Sequence, residues 1–207
     1  MLGLSNKQQP TNGKKTHIME LRTALEALTP ITSQRFLSTF PVLQHIELYA
    51  DSDGYLTGAL ATDRYVVALV GTHDDPAAYI DPVQAKQLLA HLRAHKSGVI
   101  PPMLDREAGT ILGIPVTMPD DLPGQYPSTV ARILSNAEDA APAELPLSTG
   151  LGLSIMELAV KVIKPLNRGK SAKVRNNLGL RLEARGNVIL TQIEDLTLLV
   201  MPMRLHD

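Results

Sequence analysis

The sequence predicts an α+β fold built from repeated units of one helix and several strands. Apolar residues recur at helical spacing over 18–28, and polar and apolar residues alternate over 45–50. Turn sequences, such as Asp-Ser-Asp-Gly over 51–54, separate the apolar segments that follow. A comparable order of helix and strands returns twice further along the chain. These observations predict three similar units.

The first unit is a helix followed by three strands. We expect Pro30 to end the helix over 18–28, because proline cannot continue a helical hydrogen-bond pattern. The strands are predicted over 45–50, 55–61 and 65–70.

The second unit places a short strand before its helix. We predict a strand over 77–80 and a helix over 82–96, with Pro82 in the first turn, where proline is favoured. Further strands are predicted over 99–100, 108–112 and 114–118.

The third unit follows a linker predicted over 135–144, which is rich in Asn, Ala, Pro and acidic residues. After a strand over 145–148, Ser154 is expected to cap a helix with Glu157 in a capping box. Pro165 is expected to end or kink this helix. Strands are then predicted over 178–184, 188–193 and 196–203.

Composition excludes several classes of protein. The chain has no Cys, which excludes disulfides and thiolate metal sites and favours a reducing cytoplasm. No apolar segment approaches the roughly 20 residues of a membrane helix. Residues 1–15 carry lysines, glycines and a proline without an apolar core, so we expect a flexible lead and no signal peptide.

Basic residues are unevenly distributed, although the formal net charge is only −1. Eight of the twenty Lys and Arg residues fall within 161–185, against the single acid Glu183. Such a cluster is typical of a phosphate-facing surface, and a solvated helix face beside a basic loop is the alternative. The helix over 82–96 is also basic on its outer face. The candidate DNA-facing residues are Lys86, Arg93, Lys96, Lys161, Lys164, Arg168, Lys170 and Lys173.

Other candidate sites are weaker. His91 and His95 lie one helical turn apart and could bind a metal with 73–75, but solvated side chains are the more economical interpretation. The acidic turn 51–54 fails as a calcium loop, because Thr62 stands where the twelfth-position Glu is required. The glycines over 149–152 lack the Lys-Ser/Thr of a P-loop. No catalytic constellation is predicted, and no cofactor.

Four segments, in order, resemble the bacterial DNA polymerase III beta subunit, or DNA sliding clamp, family. They are Thr-Phe-Pro-Val-Leu over 39–43, Ala-Thr-Asp-Arg-Tyr-Val-Val-Ala over 61–68, Gly-Gln-Tyr-Pro over 124–127, and Met-Pro-Met-Arg-Leu over 201–205. Phe40, Arg64, Tyr65 and Val66 depart from the residues usual in the family.

The resemblance implies a DNA-clamp-like fold with helices on one face of the sheets and a DNA channel lined by helices. It implies a full clamp-like domain over 16–134 and a C-terminal half-domain over 145–207 whose tail is docked. The chain would be a truncated member, because the family has three full domains.

The resemblance also implies a hydrophobic pocket that receives partner peptides. Its residues would come from two parts of the chain that are distant in sequence, one of them the tail. They are Leu43, Thr62, Arg64, Val67, Pro127, Leu199, Val200, Met201, Pro202, Met203, Arg204 and Leu205. Ordinary core packing is the alternative for each of them.

The expected function is that of a processivity factor in DNA replication, a homo-oligomer without catalytic activity. It would encircle or grip duplex DNA through phosphate contacts and tether a DNA polymerase or another partner at the pocket. The alternative is a clamp-derived adaptor that binds peptides or another clamp without encircling DNA.

Overall fold

The fold is given by a computed structural model. It describes residues 19–32, 41–63, 65–94, 103–122, 134, 136–137, 139, 142–143, 149–150, 152–168, 183–185, 188–201 and 203–204. The α-helices with described ends are α1 (Leu21–Thr32), α2 (Pro82–Ala94) and α3 (Leu153–Leu166). Short 3-10 helices span Pro41–Gln44 and Pro119–Asp121. No described helix has the length and apolar character that crossing a membrane requires.

The strands pair in antiparallel fashion throughout the described residues. In chain order they are β1 (Ile46–Ala50), β2 (Leu56–Thr62), β3 (Val66–Gly71), β4 (Ala78–Ile80), β5 (Leu104–Asp105), β6 (Thr110–Ile111), β7 (Ile114–Pro115), β8 (Pro142–Ala143), β9 (Thr149–Gly150), β10 (Glu183–Arg185), β11 (Val188–Ile193), β12 (Leu196–Val200) and β13 (Met203–Arg204).

Eight of these strands form one sheet in the order β4-β1-β2-β3-β12-β11-β10-β8. Its central pairing joins β3 to β12, with Val66 opposite Val200 and Val70 opposite Leu196. Strands from both of the predicted domains therefore share one sheet. Inside the predicted linker, Ala137 is buried and 142–143 form β8. The division at 135–144 stays a prediction.

The sheet has an apolar core on each face. On one face, α1 packs against both α2 and α3, and their apolar residues form the main core with alternate strand residues such as Leu48, Ala68 and Leu198. On the other face, Tyr49, Leu60, Val67, Leu69, Leu190 and Leu199 form a second core with Leu134 and Ala137. This alternation follows from the two-residue period of side chains along a strand.

Helix α1 corrects the expectation that Pro30 ends the helix. The helix continues to Thr32, with Pro30 in its last turn. Ile31 and Thr32 are buried, so continuing the helix places an apolar side chain in the main core. The Thr29 hydroxyl donates to the Leu25 carbonyl at 2.6 Å in the same turn.

Helix α2 starts at Pro82 as predicted, whereas the start of α3 differs from expectation. Asp81 caps α2, because its Oδ1 accepts hydrogen bonds from the backbone N–H groups of Val83 and Gln84. Gln84 Oε1 in turn accepts from the Asp81 N–H, which completes a capping box that the sequence analysis missed. For α3 the predicted Ser154 capping box is wrong. The N-cap is Gly152, in an extended conformation and without a side-chain cap.

Other predicted elements match in part. The strand predicted over 108–112 is confined to β6, because 106–109 form a turn. Helix α3, which was expected to end at Pro165, ends at Leu166. The predicted strands over 99–100 and 145–148, and residues 178–182 of a further strand, lie outside the described residues.

Two glycines bring β2 and β3 into close backbone contact. Gly58 and Gly71 are opposite each other in the register. A Cβ at Gly58 would lie 1.7 Å from the Thr72 carbonyl oxygen, which is backbone and cannot rotate away. Gly71 has a φ of +81°, which favours glycine, and a Cβ there would lie 2.3 Å from the Thr57 carbonyl oxygen.

We predict that Gly58→Ala lowers the free energy of unfolding by about 3 kcal/mol, the upper end of the usual cost of overpacking. Gly113→Ala is the control, because its Cβ would meet nothing within 4 Å and only its positive φ is strained. That strain should cost about 1 kcal/mol. Urea denaturation of both variants measures the difference, and equal losses would contradict the close approach of these strands.

Candidate nucleic-acid interface

The outer face of the helix layer carries most of the predicted DNA-facing residues that the structure describes. Helix α1 lies between α2 and α3, with its apolar side chains turned to the sheet. Lys86 and Arg93 are exposed on α2, and Lys161 and Lys164 are exposed on α3, as their predicted outward orientation requires. Arg168 follows the end of α3. Lys96, Lys170 and Lys173 lie outside the described residues.

Three arginines of this layer converge on one carboxylate, that of Glu26 on α1. Glu26 Oε1 accepts from Arg22 Nε at 3.4 Å, one turn away on the same helix, and from Arg93 Nη2 at 3.1 Å. Glu26 Oε2 accepts from Arg168 Nη1. The Glu26 side chain is only 6% exposed, whereas Arg93 and Arg168 are 56% and 61% exposed. One acidic residue therefore connects all three helical segments.

The arginines keep the Glu26 carboxylate charged. Burial alone would raise the pKa of Glu26. This effect is outweighed by the hydrogen bond from Arg93, the charge of Arg168, and the hydrogen bond and charge of Arg22. The pKa of Glu26 therefore lies below its ordinary value. With one negative and three positive charges, the cluster has a net charge of about +2 at neutral pH.

The helix layer as a whole is basic. Its described outer residues include the basic side chains Arg22, Lys86, Arg93, Lys161, Lys164 and Arg168. The acidic side chains on the same helices and at their ends are Glu20, Glu26, Asp81 and Glu157. Six positive charges against four negative ones make this face attractive to phosphate groups, although the net charge of the chain is −1. The acidic turn residues Glu194 and Asp195 line a cavity with Arg22 and Arg168 at one edge of this face.

The Glu26 cluster was not predicted, because no DNA-facing residue was assigned to the first helix. The spacing of Arg22 and Glu26 is a local signal for an ion pair within a helix. Arg93 and Arg168 lie 67 and 142 residues from Glu26 in the sequence. Their approach depends on the packing of α2 and α3 against α1, which no local pattern indicates.

The predicted peptide pocket is built partly from neighbouring strands. Thr62 of β2 is opposite Val67 of β3, and Val67 is opposite Leu199 of β12. The Met201 N–H donates to the Tyr65 carbonyl at 2.8 Å, so the backbone contact between these segments extends past β12. The two distant segments that the resemblance implies are thus adjacent.

Several of the predicted pocket residues are core residues in this structure. Val67 and Leu199 pack in the second core with Leu134 and Ala137, whereas Val200 faces the main core. Thr62 is buried and its hydroxyl donates to the carbonyls of Asp63 and Val66. A peptide pocket requires open apolar surface, so the use of these positions by a partner stays a prediction.

The remaining pocket residues are described only in part. Leu43 is half-buried in the 3-10 helix over 41–44. Met203 and Arg204 form β13, which pairs with Thr149–Gly150 of β9. Arg64, Pro127, Pro202 and Leu205 lie outside the described residues.

The Asp63 carboxylate has a local structural role in the family-like segment 61–68. Its Oδ1 accepts hydrogen bonds from the backbone N–H groups of Tyr65 and Val66, both at 2.7 Å. These bonds fix the turn that connects β2 to β3. Burial raises the pKa of Asp63, and the two backbone hydrogen bonds oppose that effect.

A buried carboxyl group lies on the sheet face of the second core. Glu47 of β1 is opposite Leu60 of β2 and Tyr79 of β4. It is 5% exposed, and the Tyr49 hydroxyl donates a hydrogen bond to it. Burial raises the pKa of Glu47 to about 7, against a smaller lowering effect of the Tyr49 hydrogen bond. Burial and the charge of Glu47 raise the pKa of Tyr79 to about 12.

Neither alternative metal site gains support from the described residues. They contain no group of three His, Asp or Glu side chains placed to hold a metal ion, and His95 lies outside them. Asp51 of the acidic turn uses its Oδ1 to accept from the N–H groups of Asp53 and Tyr55. That carboxylate therefore closes the β1–β2 turn.

Comparison with known proteins identifies the fold. No protein-family model and no curated protein matches the chain. Among solved structures it is similar to the DNA polymerase III beta subunit of Thermotoga maritima, with a TM-score of 0.50 and 10% identity over 90% of this chain and 63% of that one. It is also similar to a DNA polymerase sliding clamp from Pseudomonas aeruginosa, with a TM-score of 0.48 and 14% identity over 98% of this chain and 70% of that one.

The predicted fold class is therefore confirmed. The chain combines helices on one sheet face with antiparallel strands, as in the DNA sliding-clamp fold. It spans 63% of the length of the Thermotoga protein.

The buried Glu47 predicts a measurable dependence of stability on pH. A folded-state pKa near 7, against an ordinary value of 4.5, means that the folded protein binds the proton more tightly than the unfolded chain. The free energy of unfolding should fall as pH rises from 4.5 to 7, by about 3 kcal/mol in total.

Glu47→Gln should remove this fall and make the protein more stable than the wild type above pH 7. Glu107→Gln is the control, because Glu107 is exposed. Denaturant unfolding from pH 4.5 to 8 measures the effect. If the free energy of unfolding of Glu47→Gln fell with pH in parallel with that of the wild type, Glu47 would be excluded as the cause of the fall.

Proposed function

We propose that this chain is a member of the bacterial sliding-clamp family that holds duplex DNA against the outer face of its helix layer. The observation that carries the proposal is the shared layer itself. Helices from distant parts of the chain lie side by side on one sheet face, and their outer side is basic. The sliding-clamp fold supports the proposal independently.

The contacts would be made to phosphates and not to bases. Lys86, Lys161 and Lys164 are exposed on rigid helices, where flexible ammonium groups can follow a passing phosphate backbone without reading its sequence. Such binding releases counterions, so the affinity should fall steeply with salt. This property suits a protein that moves along DNA.

We also propose that the DNA-bound form is a homo-oligomer, in which the helix layers of several copies surround the duplex.

We further propose that a DNA polymerase or another partner is tethered near the end of β12. The Tyr65 side chain is 41% exposed there, and Met201 beside it is half-buried. An aromatic ring and a flexible thioether are favourable contacts for apolar side chains of a peptide. Val67 and Leu199 would be reached only if the residues that cover them, Leu134 and Ala137, move away.

The DNA contact is tested by reversing one charge on the helix layer. Lys161→Glu should weaken binding to a duplex of arbitrary sequence on the order of tenfold. It should also make the plot of log affinity against log salt less steep, by about the amount that one phosphate contact contributes. Arg106→Glu is the control, because it changes the net charge equally at an exposed turn after β5. Fluorescence anisotropy over a salt series measures both. Equal weakening by the two variants would exclude the helix layer as the DNA-binding face.

Encirclement is tested by topology. The native mass is measured with and without nicked circular DNA, and the complex is then treated with an enzyme that linearises the circle. A ring that surrounds the duplex should stay on the circle and slide off the free ends of the linear form. Equal loss from both forms would show that the protein grips DNA without surrounding it.

A further inference from the structure

Glu26 occupies an unusual position for an acidic residue on a surface that is proposed to bind an anion. A carboxylate on such a face repels phosphate, so electrostatics alone predicts that it weakens DNA binding. The Glu26 side chain is, however, only 6% exposed, and its carboxylate is paired with three arginines. Its negative charge is therefore screened from an approaching phosphate, whereas the guanidinium groups are not.

Among the described contacts, each of the two distal arginines uses one nitrogen for Glu26 and keeps further donors for a ligand. A guanidinium group has five N–H donors in a fixed plane. Arg93 uses Nη2 for Glu26, and Arg168 uses Nη1. Both side chains are more than half exposed, so the remaining donors are accessible to a ligand.

Resting on the proposed function, we propose that Glu26 is a positioning residue for phosphate contact. It holds Arg93 of α2 and Arg168 at the end of α3 in one fixed arrangement above α1, so that the two guanidinium groups bind adjacent groups of the DNA backbone together. The ligand is a phosphodiester backbone, and the binding groups are the arginine N–H donors that Glu26 does not occupy.

Two physical effects favour this role. Arginine has several rotatable bonds, and ordering a free side chain upon binding costs free energy. Glu26 restricts the rotation of both side chains before DNA arrives. In addition, the positive charges of Arg22, Arg93 and Arg168 repel each other, and the carboxylate between them offsets this repulsion. Without it the arginines would separate.

The decisive variant is Glu26→Gln, with Glu20→Gln as its matched control. Each substitution removes one negative charge at the same helix, but Glu20 is exposed, and its carboxylate accepts a hydrogen bond only from Thr23 among the described contacts. Binding to duplex DNA is measured by fluorescence anisotropy over a salt series. Urea denaturation shows that each variant is folded under the binding conditions.

We expect Glu26→Gln to weaken DNA binding about threefold to tenfold, despite the gain in positive charge. The dependence of affinity on salt should become less steep, by about the amount that one phosphate contact contributes. Glu20→Gln should leave the affinity unchanged or increase it slightly. In the Arg93→Gln/Arg168→Gln background, Glu26→Gln should no longer weaken binding, because the side chains through which it acts are absent.

Distinct results would overturn the positioning role and the proposed function. Tighter binding by Glu26→Gln, comparable to that of Glu20→Gln, would overturn the positioning role alone. Equal weakening by Glu26→Gln with and without the two arginines would also overturn it, because Glu26 would then act only through the stability of the helix layer. A wild-type chain with no salt-dependent affinity for DNA would overturn both the role and the proposed function.

Discussion

The rest of the structure depends on the backbone pairing of β3 with β12. It joins residues 66–70 to residues 196–200 and turns two distant segments into the centre of one sheet. Because side chains alternate along both strands, the same pairing sets both cores, with Ala68 and Leu198 on the helix side and Val67 and Leu199 on the other. It also allows α1 and α3, which belong to opposite ends of the described chain, to pack together.

The helix layer has electrostatic properties that its separate helices lack. Helix α1 contributes one arginine and one glutamate to the outer face, and α2 and α3 contribute unbalanced positive charge. Packing brings arginines from three segments to Glu26, which lowers the pKa of its carboxyl group and keeps it ionised. The same main core that stabilises the fold thus determines where positive charge is held on the surface.

Local pattern predicts the elements of this protein better than their arrangement. Alternation over 45–50 and the Asp81-Pro82 start of α2 are encoded by neighbouring residues, and both are found. Pro30 misleads because burial of Ile31 favours one more turn of α1. The basic residues of α2 and α3 are exposed as their spacing predicts, but the contact of Arg93 and Arg168 with Glu26 depends on tertiary packing. Thr62, Val67 and Leu199 of the predicted peptide pocket are on neighbouring strands, and they are buried because the sheet is covered on both faces.

The buried Glu47 has a consequence for the heat of folding. Between pH 4.5 and 7 the unfolded chain has an ionised Glu47, whereas the folded chain binds the proton at this site. Folding in that interval therefore takes up a proton from the surrounding buffer. The enthalpy recorded by calorimetry then includes the ionisation heat of the buffer, so it differs between phosphate and an amine buffer at the same pH, while the free energy of unfolding does not.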